Sequence, residues 1–566
     1  MAWQILAASR DCGIKWIAAL ALGCAGLPAL AQDVLFRSSF DIPAEGPATQ
    51  ADAARFLTQA TFGPTLVEID RLMATGYNTW FDMELSKAPA LHLPFLDARA
   101  AAGDDVYQNI RQESWFTRVV SGNDQLRQRV AFALSEILVV SDQGLDNPFA
   151  LAHYYDLLVQ RAFANYRTLL REITLHPVMG SYLSMRGNQP ENLAQNIRPD
   201  ENYAREIMQL FSIGLKRLNA DGSVMLSGGQ PIATYTQDTI RGFARVFTGW
   251  NFDGCLGDEY NYCYPYDDVR QIWWRRPMIA FAGYHQSGTK QLLVYPGVVP
   301  ATGLLAAGGN ATTDLDAALT NLFSHPNVGP FVARLLIQRL VTSNPSPAYI
   351  GRVAATFANN GAGTRGDMGS VVRAILMDSE ARNRALAPPN AGKLREPLLR
   401  VTQLWRALDA RAINGRYREW YPDYYAGQAA LRSPTVFNFF LPSYAAPGEV
   451  TALGLVSPEF QIATDNILTN GANDLAGRIY YYWRGNPDVS ADDVTVDLAR
   501  DMPLAAAALI DRYNLLFMAG QMSAPMRNTL IAHLGTLPGS TANAQRARVQ
   551  DALWLIFNSP EFVVEK

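Results

Sequence analysis

The clearest structural signal in the chain lies in residues 121–138, whose sequence is SGNDQLRQRVAFALSEIL. The stretch begins with Ser-Gly-Asn-Asp, which offers residues that cap a helix N-terminus. In the residues that follow, apolar side chains recur at helical spacing. We therefore expect a core helix here, with one apolar face. The apolar positions are Leu126, Val130, Ala133, Leu134, Ile137 and Leu138.

Similar apolar repeats occur along most of the chain from residue 51 onward. Strand signals are scarce, and the best is a hairpin around residues 219–222. No fixed repeat length indicates a solenoid. The pattern predicts a mainly α fold: one large, compact multi-helix domain over residues 51–566, with long irregular loops and at most a small β-hairpin. The predicted helices are about 51–60, 65–75, 107–120, 150–175, 201–215, 237–248, 314–324, 329–342, 347–359, 368–380, 394–409, 459–470, 503–518, 524–534 and 543–558.

The composition agrees with a folded globular protein. Of 566 residues, 49% are hydrophobic and 18% are charged, which excludes a disordered or fibrous chain. Lys and Arg number 48 against 52 Asp and Glu, so the chain lacks the basic surface of a nucleic-acid binder. These numbers argue against nucleic acid as a partner.

The first 31 residues have the pattern of a secretory signal peptide. Arg10 and Lys15 precede a short apolar run at residues 16–27, and Pro28-Ala-Leu-Ala31 supplies a small-residue cleavage site before Gln32. An alternative is lipoprotein anchoring at Cys24, but the Leu favoured three residues earlier is Ala21. We expect an exported protein, periplasmic or extracellular, with an extended lead-in at residues 32–50 and no integral membrane span after cleavage.

Removal of the signal peptide leaves two cysteines, Cys255 and Cys263. A single close pair in an exported chain is most simply a disulfide. A zinc site is the weaker interpretation, because two thiols without a neighbouring His or second Cys pair cannot complete a tetrahedral site.

Both cysteines lie in the longest irregular stretch, which we treat as a loop insertion at about residues 251–309. A loop of this length is usually functional or poorly ordered. Its aromatic residues could stack on a carbohydrate or peptide, although packing of the loop onto the body is the simpler explanation. They are Tyr260, Tyr262, Tyr264, Tyr266, Trp273 and Trp274.

Polar residues concentrate in two predicted helices and one loop. In the first helix, Glu201 and Arg205 are spaced to pair, and Asn202 and Glu206 begin a second polar stripe. In the second, Asp238, Arg241, Arg245 and Thr248 lie within about 80° on a helical wheel. His285, in a Gly-containing loop near Lys290, suits acid/base work or metal ligation, while a turn-capping role is the commoner use of a lone His.

Several blocks of sequence resemble the bacterial exported family catalogued as domain of unknown function 1800. The similarity covers residues 51–565. The blocks are ARFLTQATFGPT at 54–65, LRQRVAFALS at 126–135, ENYARE at 201–206, YTQD at 235–238, ARVFTGW at 244–250, His285 with Gly288 and Lys290, LREP at 394–397 and SPEF at 559–562.

The resemblance implies an exported, largely helical protein, often encoded beside a second exported protein that is similar to the alkaline phosphatase and sulfatase superfamily. That second protein is therefore an expected partner. The chain has Gln286 where many members have Asp, and Phe211 where some have His, which weakens the case for a metal site. The family's polar motif maps here onto Glu201, Asn202, Arg205, Glu206, Tyr235, Asp238, Arg245, Thr248, Trp250, His285 and Lys290.

These residues support three hypotheses. The first is an envelope hydrolase or transferase acting on a polar polymer or peptide, with Glu206, Asp238 and His285 as catalytic candidates. The second is a non-catalytic envelope or secretion-associated protein in which the polar residues form a buried ion network. The third and weakest is a metal-dependent oxidative enzyme with His285 as a ligand. The cofactor is left open, and the binding candidates are Glu201, Asn202, Arg205, Tyr235, Arg245, Trp250 and Lys290.

Overall fold

Helices in this protein begin at the capping residues that the sequence supplies. The computed structural model describes residues 46–264 and 268–566. Thr49 caps the first helix, α1, by accepting from the backbone of Asp52, whose carboxylate accepts from Thr49 in return. Thr65 and Glu68 form the same reciprocal capping box at the start of α2. The predicted signal peptide and residues 32–45 of the lead-in lie outside the described residues.

Most of the described chain is helical. The α-helices are α1 Gln50–Ala60, α2 Leu66–Ser86, α3 Leu93–Ala101, α4 Gln108–Ser121, α5 Gln125–Ser135, α6 Pro148–Arg161, α7 Tyr166–Leu175, α8 Pro177–Tyr182, α9 Asn202–Gln209, α10 Gln237–Val246, α11 Ala311–Ser324, α12 Val328–Leu340, α13 Pro347–Ala358, α14 Met368–Met377, α15 Ser379–Arg382, α16 Pro397–Ala407, α17 Pro422–Ala426, α18 Glu449–Ala452, α19 Asp465–Ala476, α20 Ala506–Met518, α21 Ala524–Thr536, α22 Ala542–Phe557 and α23 Pro560–Val563. A π-helical turn, Gly477–Tyr481, follows α19.

The mainly α prediction is confirmed, with local differences. The stretch predicted as one helix at 150–175 is two, α6 and α7, because Asn165 caps a new helix by accepting from the backbone of Arg167. The helix predicted from residue 394 begins at Pro397, since a residue before proline is disfavoured in a helix. The core helix ends at Ser135, so Ile137 and Leu138 are buried beyond its last turn.

Helix α5 is buried around its whole circumference. Its apolar positions are in the core as expected, but Arg127, Gln128 and Arg129 on its polar side are buried as well. Their side chains reach backbone carbonyls elsewhere: Arg129 donates to the carbonyl of Arg339 in α12 at 2.7 Å. A helix with charged residues on its inner side brings charge into the centre of the molecule.

The strands are short and paired in twos. They are β1 Leu226–Ser227 with β2 Gln230–Pro231, β3 Trp250–Asn251 with β4 Ile279–Ala280, β5 Lys290–Gln291 with β6 Leu304–Leu305, and β7 Lys393–Leu394 with β8 Val564–Glu565. All four pairs are antiparallel.

The predicted hairpin turn is present, but its strands lie further along the chain. Residues 219–222 form a turn flanked by a single bridge between Leu218 and Val224. The two-residue strands β1 and β2 are joined instead by Gly228 and Gly229, whose φ angles are both positive, at 57° and 79°. Tight hairpin turns need such angles, which glycine adopts without strain.

One hydrophobic cluster connects distant parts of the sequence. It contains Ala53 and Phe56 of α1 together with Phe557 of α22 and Phe562 of α23. Within residues 46–264 and 268–566, no helix is both long and apolar enough to cross a membrane.

Candidate functional site

Helices α9 and α10 pack against each other and carry most of the predicted site residues. The carboxylate of Asp200 accepts from the backbone of Asn202 where α9 begins. Thr236 caps α10. Helix α10 also packs closely on β5, because Gly242 leaves its backbone bare: a side chain there would overlap the carbonyl oxygen of Gln291.

A polar cavity of about 800 Å³ opens beside α10, and we call it the α10 cavity. Asp238, Arg241 and Arg245 of α10 all line it, together with Tyr235. Thr248, the fourth residue of the predicted face, does not line it, because α10 ends at Val246 and Thr248 is buried. Arg217 lines it from the loop after α9. The remainder of the wall comes from β5 and its neighbours, including Thr289, Gln291 and Leu293.

Positive charge exceeds negative charge in this cavity. Asp238 is 78% exposed and lies 3.4 Å from Arg241. Arg245 lies 3.3 Å from Glu191, outside the lining. Arg217 has no carboxylate partner within the described part of the chain. Arg241 and Arg245 are thus already paired, and Arg217 remains for an anionic ligand, since arginine binds carboxylate and phosphate groups through paired hydrogen bonds.

Glu206 is buried near the cavity, and Tyr235, which lines the cavity, is half-buried with a buried hydroxyl. Glu206 is 6% exposed, and its Oε2 atom has no hydrogen-bond partner in the part of the chain that the structure describes. Burial raises the pKa of Glu206, although the nearby Arg205 opposes the shift. The Tyr235 hydroxyl is also unpartnered. Burial raises the pKa of Tyr235 to about 12, with Arg205 lowering it and Glu206 raising it.

Glu201 joins the two helices at the surface. Its carboxylate accepts from Gln237 of α10 at 2.8 Å and pairs with Arg205 of α9 at 3.2 Å. Arg241 lies 4.0 Å away. The pairing with Arg205 matches the spacing in the sequence, and the side chain is one-third exposed, so Glu201 positions the helices next to the cavity.

His285 and Lys290 belong to a separate, enclosed ion network. The Oδ2 atom of Asp314 lies 3.1 Å from His285 Nε2 and 2.7 Å from Lys290 Nζ. The other ring nitrogen of His285 lies 3.0 Å from the carbonyl oxygen of Thr248. All three side chains are 7% exposed or less. Both nitrogens of His285 are therefore engaged within the protein.

Sequence reasoning missed Asp314, the centre of this network. It lies in the first turn of α11, where an acidic residue is expected simply to complement the helix dipole. Only its closeness to Lys290 and His285, which the sequence does not reveal, separates it from other first-turn acids.

The donors around His285 do not resemble a metal site. The group beside Asp314 is an ammonium, which already supplies the positive charge that a metal ion would bring. Among the described residues, no three His, Cys, Asp or Glu side chains converge as metal ligands.

The remaining binding candidates differ in exposure. Trp250 is 3% exposed and packs in the hydrophobic core, where its carbonyl accepts from the backbone of Gly187. Asn202 is exposed at the start of α9. In sum, Tyr235, Asp238 and Arg245 line one cavity, whereas Lys290 and His285 both contact the carboxylate of Asp314. Within the described residues, no ion pair or hydrogen bond joins Glu206, Asp238 and His285, and their catalytic roles stay predictions.

The long loop is cross-linked within itself, and Tyr260 joins it to the body by donating to the carbonyl of Asn188 at 2.8 Å. The predicted disulfide between Cys255 and Cys263 is confirmed, with the Cα atoms 5.8 Å apart. Tyr260 is buried and stacks on Tyr284 at 3.9 Å, whereas Tyr262 is 84% exposed. Packing thus accounts for Tyr260, and Tyr266 lies outside the described residues.

Taken together, the fold and site define a mainly helical protein with an arginine-lined cavity beside a buried acid. The model of a family described as "Protein of unknown function (DUF1800)" matches residues 55–564. The chain belongs to this family. No curated protein and no solved structure matches it.

Proposed function

We propose that this is an exported cell-envelope protein that binds an anionic group of a polar polymer or peptide in the α10 cavity and acts on that ligand as a hydrolase or transferase. The observation that carries the proposal is the lining of the cavity, in which Arg217, Arg241 and Arg245 outnumber Asp238. The second exported protein implied by the family resemblance is a proposed partner.

Glu206 is the proposed acid/base group. A carboxyl group whose pKa is raised by burial holds its proton nearer to neutral pH, as general acids require. Tyr235 lines the cavity and is near enough to Glu206 for that charge to affect its pKa, so it offers a route for a proton to the ligand.

Binding can be tested with a fluorescent acidic peptide and an anionic polysaccharide, each compared with a neutral counterpart. We expect Arg217→Gln to weaken binding of the anionic probes by about 10-fold or more, since a hydrogen bond to a charged group contributes about 1.5–3 kcal/mol. The affinity should also fall with added salt. Arg527→Gln is the matched control, because Arg527 pairs with Asp511 on a different surface. Equal loss in both variants, or equal binding of neutral probes, contradicts the proposal.

Catalysis is tested separately with Glu206→Gln, which keeps the side-chain shape. If the variant binds the ligand fully but has lost turnover, the proposed enzymatic activity is supported. Unchanged turnover contradicts the role of Glu206 as the acid/base group.

The enclosed network at His285 favours a second candidate function, a non-catalytic envelope protein. Its three groups are buried and satisfy one another, as a structural network does. In that case the α10 cavity binds its ligand without altering it. Incubation with the wild-type protein then returns any bound ligand chemically intact.

A further inference from the structure

A second cavity, of about 430 Å³, lies on the other side of α9's C-terminal end, against α12, and we call it the α12 groove. It is formed by the end of α9, the residues after α5, one face of α12 and the segment 436–456. No residue lines both this groove and the α10 cavity. Its volume lies within the range of small-molecule sites.

The walls of the groove are apolar. Leu210, Ile213 and Leu335 line it, and its lining continues onto exposed Leu215, Phe437 and Leu441. Those three side chains are 55%, 43% and 39% exposed. Large apolar side chains left in water next to a concave surface are typical of a ligand site.

Charged side chains contribute to the lining at its most buried part. Glu136 and Arg339 both line the groove, and they are 4% and 2% exposed. Arg339 Nε lies 3.3 Å from the Glu136 carboxylate, while Arg339 Nη1 has no hydrogen-bond partner among the described residues. A buried guanidinium N–H without an acceptor costs free energy, which a bound anion would recover.

Glu136 and Arg339 belong to a buried network of three cations and three carboxylates: Arg129, Arg339, Lys393, Glu136, Glu396 and Glu459. Gln428 bridges Glu136 and Glu396 with hydrogen bonds of 3.1 and 2.7 Å. Lys393 lies 3.4 Å from Glu396 and 3.1 Å from Glu459. Three of the six lie in or directly after blocks that carry the family resemblance: Arg129, Glu136 and Glu396.

The network has an excess of positive charge near neutral pH. Burial, with the nearby charge of Glu396, raises the pKa of Glu136 to about 8. For Glu396, burial is outweighed by Lys393, Arg129 and Arg339, so its pKa is lowered. A neutral Glu136 leaves three cations facing two carboxylates. At the surface, Lys216 and Arg334 add two cations that pair with no carboxylate of the described residues.

We propose that the α12 groove binds a single-chain amphipathic anion, an alkyl chain ending in a carboxylate or phosphate group. The chain lies along the apolar walls, and the head group accepts a hydrogen bond from Arg339 Nη1. The walls alone would accept any apolar molecule, but Nη1 of Arg339 beside them selects for an anionic head group.

The test uses the full chain, stripped of bound lipid and titrated by calorimetry with decanoate, dodecanoate, dodecyl phosphate and decanol. We expect saturable one-to-one binding that tightens about fourfold for each added CH₂, since each buried CH₂ contributes about 0.8 kcal/mol. Decanol should bind at least 10-fold more weakly than decanoate. Comparison of dodecanoate with dodecyl phosphate identifies the preferred head group.

Variants separate the groove from general adsorption. Phe437→Ser and Arg334→Gln, both at exposed positions, should each weaken dodecanoate binding by about fivefold or more. Ile413→Ser, at a position 87% exposed outside the groove, should leave it unchanged. Arg339→Gln, which removes the proposed hydrogen bond to the head group, should lose binding. Equal binding of decanol and decanoate, no dependence on chain length, or equal loss in Ile413→Ser overturns the proposal.

Discussion

Lys290 shows what a single buried charge does in this protein. It is fully buried, and its ammonium lies 2.7 Å from Asp314, with the carbonyl oxygen of Gly288 at 3.1 Å. The imidazole of His285 contacts the same carboxylate oxygen. Removing the ammonium leaves Asp314 buried with one fewer partner, and uncompensated buried charges are among the most destabilising features that a mutation creates.

We therefore expect Lys290→Met to lower the free energy of unfolding by about 3–5 kcal/mol. Urea denaturation followed by tryptophan fluorescence measures the change. Lys216→Met is the control, because Lys216 is exposed and lacks a carboxylate partner among the described residues, and it should change the free energy of unfolding by no more than about 0.5 kcal/mol. Similar midpoints for the two variants would contradict the structural role of the network.

The raised pKa of Glu136 leads to a prediction about how the stability of the protein depends on pH. Its pKa is about 8 in the folded protein against an ordinary value of 4.5. Between these two pH values the folded state holds a proton that the unfolded state has released, so stability falls as the pH rises. The slope is at most about 1.4 kcal/mol per pH unit for one proton.

Glu136→Gln removes this titration without changing the shape of the side chain. Relative to the wild type, the variant should gain stability steadily from pH 5.5 to pH 8, as measured by urea denaturation of ligand-free protein at each pH. Comparison with the wild type cancels the titration of the histidines. Parallel curves for the two proteins would show that Glu136 does not titrate in this range.

At the scale of elements, the position of α10 depends on close contact with β5. Gly242 is the helix residue at the contact, and an added Cβ would overlap the carbonyl group of Gln291. The carbonyl group of Gln291 belongs to the backbone, so it cannot rotate away from an added Cβ as a flexible side chain could. The contact therefore fixes the wall that carries Asp238, Arg241 and Arg245.

Gly242→Ala should destabilise the protein by about 1–3 kcal/mol, the usual cost of overpacking. Gly535→Ala in α21 is a matched control, since nothing lies within 4 Å of the added Cβ and alanine favours helix. Thermal unfolding should give opposite signs for the two substitutions. A neutral effect of Gly242→Ala would show that α10 is not held against β5.

The positions of helices could be predicted from sequence because each apolar repeat depends only on neighbouring residues. The hydrogen-bond and ion-pair partners of buried polar side chains could not be predicted, because they lie far away in the chain. Arg129 is on the polar side of α5, where its partner is the carbonyl of Arg339, and Asp314 meets a lysine from another segment. The common face of Asp238, Arg241 and Arg245 was predictable, since all three lie on one helix, whereas the separation of His285 from the α10 cavity was not.

At the scale of the whole molecule, early and late parts of the chain hold one another in place. Arg406 of α16 donates to the carbonyl of Gly63, and the backbone of Asp142 donates to the carbonyl of Leu431. The hydrophobic cluster likewise includes α1 and α23. Residues from the first hundred and from beyond 400 thus share contacts in the described chain.

We expect the protein to unfold in one cooperative transition in spite of its length. Far-ultraviolet circular dichroism and tryptophan fluorescence should give the same urea midpoint, because loss of one half of the cluster exposes the other. Two separated midpoints would instead indicate independent domains and contradict the prediction of one domain over residues 51–566.

The direct backbone contact at Gly242 also limits how the shape of the α10 cavity can change through substitution. Two backbones in direct contact leave no layer of side chains that could be exchanged for larger or smaller ones to shift the wall. New ligand preferences, whether arising among relatives or selected in the laboratory, must then come from exchanging side chains that line the cavity, such as the three arginines. Library design for altered recognition should concentrate on those side chains and leave Gly242 unchanged.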